Sequence, residues 1–193
     1  FKSSTNRAPR KSQPGEKGEQ GSFEIELKIL ADVGLIGMPN AGKSTLLSHI
    51  SAAKPKIADY PFTTLEPNLG IVKYGEYKSF VMADIPGLIK GASKGKGLGH
   101  KFLKHVERNK VLLYLIESID PHPFITFKML EKEILDFNSD LVAKPAVICR
   151  TKSDINIDLS KEWNDFNQEV RIISSVSGEG LSKLIDTLCD IIN

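Results

Sequence analysis

The sequence predicts an α/β fold in three layers, with helices on both faces of a mostly parallel, six-stranded sheet that has one antiparallel edge strand. Two apolar runs of buried-strand length, at 111–118 and 145–151, flank a segment with helical periodicity. The runs LGIVKY and YKSFVMA meet at Gly75-Glu76 and predict a hairpin. Strands that alternate with helices favour a parallel sheet, and the hairpin supplies the antiparallel strand.

The other elements follow in chain order. The stretch FEIELKILADVGLIG closes in a strand that ends at Gly37, and a helix is expected over Ser44 to Ser51. Between the two apolar runs, helical spacing is shown by Phe127, Leu130, Ile134 and Phe137. VRIISS is the last predicted strand. The amphipathic helix after it carries Leu181, Leu184, Ile185, Leu188 and Ile191.

Composition limits the class of protein. A chain of 193 residues with 40% apolar and 26% charged residues has room for one globular domain, or for one domain and a tail. Its net charge of +2 is too small to predict nucleic-acid binding by the chain as a whole. No apolar run approaches the roughly 20 residues that cross a bilayer, so no membrane association is expected. Cys149 and Cys189 form no CxxC pair, and we expect buried thiols in a reducing, cytosolic setting.

The segment GMPNAGKS fits a phosphate-binding loop, GxxxxGK followed by Ser or Thr, and lies between a predicted strand and a helix. Backbone N–H groups and the helix dipole can hold phosphate oxygens there. Lys43 is expected to reach the β- and γ-phosphates, and the Ser44 hydroxyl to bind Mg²⁺. The predicted contacts are Gly37, Met38, Pro39, Asn40, Ala41, Gly42, Lys43 and Ser44. An accidental glycine-rich turn is the alternative, and the loop alone does not separate ATPases, kinases and GTPases.

TKSD follows the strand at 145–151 and resembles the NKxD motif of GTPases; it comprises Thr151, Lys152, Ser153 and Asp154. The Asp154 carboxylate can accept hydrogen bonds from the N1 and N2 donors of guanine, whereas adenine would leave the carboxylate unpaired. Lys152 is expected to lie over the base. Thr151 replaces the usual Asn, so we expect a weaker contact with N7 of the base. A surface turn after a strand is the alternative.

The loop SSVSGEG, after the last strand, resembles the SAxxGxG loop of the same proteins. Ser174 is expected to brace this loop, and a backbone N–H near Ser175 and Val176 to contact O6 of guanine. Glycines and serines form ordinary turns as well, so the position of the loop carries the prediction.

Two further segments are predicted on the Mg²⁺ and γ-phosphate side. In DIPG, Asp84 is expected to bind Mg²⁺ through water, and the Gly87 N–H to contact the γ-phosphate. In YPFTTLEPNLG, Thr64 is the best candidate for a second hydroxyl ligand of Mg²⁺, with Thr63 as its rival. The predicted contacts are Phe62, Thr63, Thr64, Leu65, Glu66, Asp84, Ile85, Pro86 and Gly87.

ISAAKPKIADYPFTTLEPNLG and DIPGLIKGASKGKGLGHKFLKHVER closely resemble the Obg family of GTPases. The resemblance implies a Mg²⁺-dependent protein that binds GTP and GDP, hydrolyses GTP slowly and acts as a switch in assembly of the large ribosomal subunit. It also implies a cytoplasmic location, and a monomer is expected. Residues 1–28 look like the end of the family's glycine-rich N-terminal domain, and 29–193 form the GTP-binding domain. Because the chain begins with Phe1, we expect it to be part of a longer protein.

Hydrolysis is expected to involve Lys43, Thr64, Gly87 and Asn40. Many GTPases orient the attacking water with a Gln just after DxxG, but this chain has Leu88 there, and the family is similar in this respect. Asn40 occupies the position that helps to bind K⁺ in related GTPases, so a K⁺ ion is one hypothesis. Completion of the site by a ribosomal partner is the other.

Six cationic side chains that follow DIPG, between 90 and 108, either contact rRNA phosphates or belong to a solvated loop. They are Lys90, Lys94, Lys96, Lys101, Lys104 and Arg108. Two other function classes stay open. One is a non-catalytic guanine-nucleotide sensor, which Leu88 favours. The other is a nucleotide kinase or ATPase, which Asp154 and the segments YPFTTLEPNLG and DIPG argue against.

Overall fold

The computed structural model describes residues 15–22, 31–52, 56–57, 68–84, 109–155 and 160–193. Its strands are β1 (Val33–Gly37), β2 (Lys56–Ile57), β3 (Asn68–Tyr74), β4 (Lys78–Asp84), β5 (Val111–Glu117), β6 (Ala146–Thr151) and β7 (Val170–Ile172). Its helices are α1 (Lys43–Ile50), α2 (Pro123–Phe137), α3 (Ser139–Val142) and α4 (Leu181–Ile192), with a 3-10 helix at Ser160–Trp163.

The strands form one sheet in the order β2-β3-β4-β1-β5-β6-β7. Strands β4, β1, β5, β6 and β7 run parallel to one another, whereas β3 is antiparallel to both β4 and β2. The predicted mostly parallel α/β sheet with an antiparallel strand is therefore confirmed. The two-residue strand β2 lies beyond β3, which puts the antiparallel strand one place in from the edge. A strand of two residues has no periodicity that a sequence could show.

Helices cover both faces of the sheet, as predicted. On one face, α1 and α4 pack against β1 and β5; this cluster includes Leu46, Leu47, Leu184 and Leu188 with Val33, Leu35, Leu113 and Leu115. On the other face, α2 packs against alternate residues of the same strands, in a cluster that includes Phe127, Leu130 and Ile134 with Ile36, Leu112, Tyr114 and Ile116. Because β5 is covered on both sides, its residues from Val111 to Ile116 are buried, which explains the continuous apolar run.

The parallel strands bring their carboxyl ends to one edge of the sheet. Leu35 pairs with Asp84, Gly37 with Leu115, and Glu117 with Thr151. Ligands bind outside the carboxyl ends of strands in sheets of this kind. The loops that follow β1, β5, β6 and β7 therefore meet where a shared ligand can contact them all.

Two predictions from composition concern the cysteines and membranes. Cys149 and Cys189 are both buried free thiols, which confirms their predicted burial. Of the helices that the structure describes, none could cross a lipid bilayer.

Gly180, which precedes α4, is a position where a side chain is excluded by both space and backbone angle. Its φ is +72°, and an added Cβ would lie 2.1 Å from the Ile172 carbonyl oxygen. We expect Gly180→Ala to lower the free energy of unfolding by about 2–4 kcal/mol. Gly75 is a matched control, because its φ is +61° but no atom lies within 4 Å of an added Cβ.

Gly75→Ala should therefore lower the free energy of unfolding only by the cost of a left-handed backbone angle, about 1–2 kcal/mol. Urea denaturation of both variants without nucleotide measures the difference. An equal loss of unfolding free energy in the two variants would show that the close approach of Gly180 to Ile172 does not contribute to the effect.

Candidate nucleotide-binding site

The phosphate-loop motif forms the connection between β1 and α1. Asn40 and Gly42 have positive φ angles of 67° and 92°, a region in which Asn and Gly are the favoured residues. The Leu46 N–H donates to the Gly42 carbonyl at 2.8 Å, which closes the first turn of α1. At the start of the loop, an added Cβ on Gly37 would lie 2.5 Å from the Leu115 carbonyl oxygen. The backbone angle thus explains the glycine at position 42, and the close contact explains the glycine at position 37.

Lys43 lies across this loop. Its Nζ donates to the carbonyl oxygens of Gly37 at 2.8 Å and Met38 at 3.0 Å. Burial lowers the pKa of the Lys43 ammonium below its usual value, and the nearby Asp84 carboxylate partly offsets this. The loop therefore holds a partly desolvated positive charge, which an anion placed beside it would stabilise.

Ser44 and Asp84 form an oxygen pair next to the loop. The Ser44 hydroxyl donates to Asp84 Oδ2 at 2.9 Å. Asp84 is only 5% exposed, and its Oδ1 has no hydrogen-bond partner in the part of the chain that the structure describes. A hydroxyl beside a buried, unsatisfied carboxylate oxygen is a donor set suited to Mg²⁺, which takes its other ligands from water and phosphate. Among the described residues, no group of three or more His, Cys, Asp or Glu could hold a metal ion.

Thr151 connects the TKSD motif to the phosphate loop. Its side chain is buried, and its Oγ1 lies 3.0 Å from the Ala41 carbonyl oxygen and 3.3 Å from that of Ile116. The single hydroxyl proton is therefore used inside the protein. Purine N7 accepts hydrogen bonds and needs a donor, so this arrangement gives a physical reason for a weak contact between Thr151 and the base.

Asp154 and the loop after β7 are joined by Ser174. The buried Ser174 hydroxyl donates to Asp154 Oδ1 at 2.6 Å and accepts from the N–H groups of Val176 at 3.2 Å and Ser177 at 3.1 Å. Asp154 itself is exposed, Ser175 is half-buried and Val176 is exposed. The carboxylate is thus accessible to a ligand and fixed at one oxygen.

Three side chains at this site were not predicted. The Glu117 carboxylate lies 3.1 Å from Lys152 Nζ, and the Ser118 hydroxyl donates to the Lys152 carbonyl at 2.7 Å. The Glu179 carboxylate accepts from the Ser153 hydroxyl at 2.8 Å. The sequence signal for Glu117 and Ser118 was their position, because Glu117 ends a buried strand at the ligand-binding edge of the sheet and Ser118 follows it.

The structure therefore brings together the predicted residues of the phosphate loop, Asp84, the TKSD motif and the loop after β7. The remaining predicted site residues lie outside the described residues: Phe62, Thr63, Thr64, Leu65, Glu66, Ile85, Pro86 and Gly87. Leu88 and the six cations between 90 and 108 also lie outside them.

A comparison with protein families decides between the classes that the phosphate loop left open. The family described as "50S ribosome-binding GTPase" matches residues 32–152, which is more than half of the chain. The chain belongs to this GTPase family. The matched region runs from the residue before β1 to the lysine of TKSD, so it includes the phosphate loop and Asp84.

Relatives within this GTPase family carry the name GTPase Obg, which confirms the predicted resemblance. The protein from Prosthecochloris aestuarii is 53% identical over 195 residues, covering 100% of this chain and 59% of the relative. The protein from Chloroherpeton thalassium is 55% identical over 194 residues, covering 100% and 58%. The protein from Bacteroides thetaiotaomicron is 53% identical over 200 residues, covering 100% and 51%. The chain spans less than two thirds of the length of these relatives.

Solved structures of other GTPases share the fold. The G domain of the FeoB iron transporter from T. maritima matches with a TM-score of 0.63 and 23% identity, covering 86% of this chain and 100% of that one. A variant of Era from Aquifex aeolicus, bound to GDP and AlF4⁻, matches with a TM-score of 0.58 and 23% identity, covering 83% and 56%. At these identities the likeness shows the fold alone.

Proposed function

We propose that this chain binds GTP and GDP with Mg²⁺, hydrolyses GTP slowly, and acts in the cytoplasm as a monomeric switch in assembly of the large ribosomal subunit. The observation that carries the proposal is the convergence of two groups at one edge of the sheet. Lys43, Ser44 and Asp84 suit the phosphates and Mg²⁺, and Asp154, held by Ser174, suits guanine.

The phosphate end of the proposed site is built by the loop and two side chains. The Lys43 ammonium and the first N–H groups of α1 would bind phosphate oxygens. Ser44 would bind Mg²⁺ directly and Asp84 would bind it through water, with Thr64 as the proposed second hydroxyl ligand and Gly87 as the proposed γ-phosphate contact. The bound Mg²⁺ would neutralise charge that develops on the phosphates. Lys43 would orient the nucleotide, and the Ser44 hydroxyl would exchange its bond to Asp84 for one to the ion.

The guanine end depends on Asp154. Its carboxylate can accept from both N1–H and the N2 amine of guanine while Oδ1 also accepts from Ser174, because a carboxylate has about four acceptor positions. Lys152 would lie over the base with its ammonium held by Glu117. Adenine offers no donor at the matching positions, so a guanine preference follows.

The ribosomal role is supported by the family's own description and by the GTPase Obg relatives. The six cations between 90 and 108 would contact rRNA phosphates in such a complex. We expect multiple-turnover phosphate release from GTP, slow for the chain alone and faster with purified large ribosomal subunits. Small subunits at the same concentration are the control. Stimulation by both subunits alike would remove the ribosomal part of the proposal.

Leu88 favours one rival function, a guanine-nucleotide sensor without catalysis, because an apolar side chain cannot orient a water molecule. Phosphate release that stops after one turnover, with GTP still in excess, would favour the sensor. Competition of ATP with labelled GTP distinguishes the GTPase and the guanine-nucleotide sensor from an ATPase or a nucleotide kinase.

A K⁺ ion bound near Asn40 is the proposed source of the positive charge that an arginine finger supplies elsewhere. We expect GTP hydrolysis to be at least about tenfold faster in KCl than in NaCl of equal ionic strength, a small part of the 10³–10⁵ that such fingers contribute. Asn40→Gly should abolish the difference, because Gly tolerates the positive φ at this position but has no side-chain oxygen. Equal rates in the two salts for the wild-type chain would end the K⁺ hypothesis.

A further inference from the structure

Ser118 is a fully buried serine that directly follows β5 and that the proposed mechanism does not use. Strands β5 and β6 pair in parallel, with Glu117 opposite Thr151. This register places Ser118 beside the start of the guanine motif. Its backbone N–H donates to the Thr151 carbonyl at 2.8 Å, and its hydroxyl donates to the Lys152 carbonyl at 2.7 Å.

Lys152 has a backbone conformation that needs such support. Its φ is +59°, in the left-handed region that residues with a side chain adopt rarely and at a cost. The Lys152 carbonyl also accepts from the Ile155 N–H at 3.0 Å, and its ammonium pairs with Glu117. The end of β5 therefore holds Lys152 by its carbonyl group and by its side chain.

The peptide fixed in this way leads directly to Asp154. Ser153 is tied to the neighbouring loop, because its N–H donates to the Ile173 carbonyl at 3.2 Å. Asp154 is exposed, so the direction of its carboxylate depends on this backbone and on the Ser174 hydroxyl. A carboxylate that accepts two hydrogen bonds from one base edge tolerates little misalignment, since hydrogen bonds weaken steeply as they bend.

We propose that Ser118 is a positioning residue for guanine recognition, because its hydroxyl holds the left-handed Lys152 peptide and so aims the Asp154 carboxylate at the base. This inference rests on the proposed function, since it presumes that Asp154 binds guanine. Ser118 itself touches no part of the nucleotide.

The test compares GDP with inosine diphosphate, which lacks the N2 amine. The wild-type chain of 193 residues should bind GDP about tenfold more tightly than inosine diphosphate, because the complex with inosine diphosphate lacks one hydrogen bond to Asp154. Ser118→Ala should reduce this ratio by about threefold or more, because the misaimed carboxylate makes the second bond poorly. Ser48→Ala is the matched control, since the exposed Ser48 hydroxyl also donates to a backbone carbonyl, that of Thr45 at 2.9 Å, and its removal should leave the ratio unchanged.

If Ser118 had a purely structural role, Ser118→Ala would weaken the binding of both nucleotides by the same factor. The ratio of the two affinities would then stay unchanged, and that result overturns the inference. Thermal melting without nucleotide checks that each variant folds. Should Ser118→Ala not fold, Ser118→Cys carries the same comparison with an intermediate ratio expected, because a thiol is a weaker donor of similar size. The proposed function fails separately if the wild-type chain binds ADP as tightly as GDP, and the inference then fails with it.

Discussion

Asp154→Asn is expected to reduce the affinity for GDP by about 100-fold or more and to create a preference for xanthosine diphosphate. In the proposed complex the Asp154 carboxylate would accept from the N1–H and the N2 amine of guanine, whereas the NH₂ group of Asn would face one of these donors with a donor of its own. Xanthine carries a carbonyl oxygen in place of the N2 amine. The Asn NH₂ can donate to this oxygen, and the Asn carbonyl can accept from N1–H.

This substitution separates recognition from folding. The Ser174 hydroxyl donates to Asp154 Oδ1, and an Asn carbonyl oxygen can accept the same hydrogen bond. The loop after β7 should therefore keep its structure. Titration calorimetry with GDP, xanthosine diphosphate and ADP gives the three affinities, and Asp190→Asn, at an exposed carboxylate on α4, is the control. A GDP affinity within about twofold of the wild-type value would contradict guanine recognition by Asp154.

Lys43→Met is expected to have the second large effect, a loss of about 100-fold or more in the affinity for GDP and GTP. Charge-assisted hydrogen bonds to phosphate contribute about 1.5–3 kcal/mol each, and two unit charges 4 Å apart attract by about 4 kcal/mol near a protein surface. Met keeps the unbranched stem of Lys without its charge. The loop therefore loses its cation and retains most of its packing.

The same variant should not lower the thermal stability of the nucleotide-free chain. Burial lowers the Lys43 pKa, which means that the charged form is disfavoured in the empty loop despite its bonds to Gly37 and Met38. Lys128→Met is the control, because Lys128 is exposed on α2, where its ammonium pairs with Glu131 and lies over the rings of Phe124 and Phe127. Calorimetry gives the affinities, and melting without nucleotide gives the stability. A large drop in melting temperature would show that Lys43 mainly stabilises the loop.

The sequence predicted most of the fold because its signals are local. A buried strand such as β5 is a continuous apolar run, and α2 shows its core-facing residues at helical spacing. The strand β2 was missed for the opposite reason, since only its pairing with Leu69 and Asn68 defines it.

The sequence by itself determined where the phosphate loop and the TKSD motif lie, because each is a run of a few consecutive residues with a recognisable pattern. The tertiary structure decided how these motifs support one another. The Thr151 hydroxyl reaches Ala41 across 110 positions of sequence, Ser118 holds Lys152 across 34, and Ser174 holds Asp154 across 20. Such contacts depend on strand order and register, which the packing of the whole sheet sets and no short segment encodes.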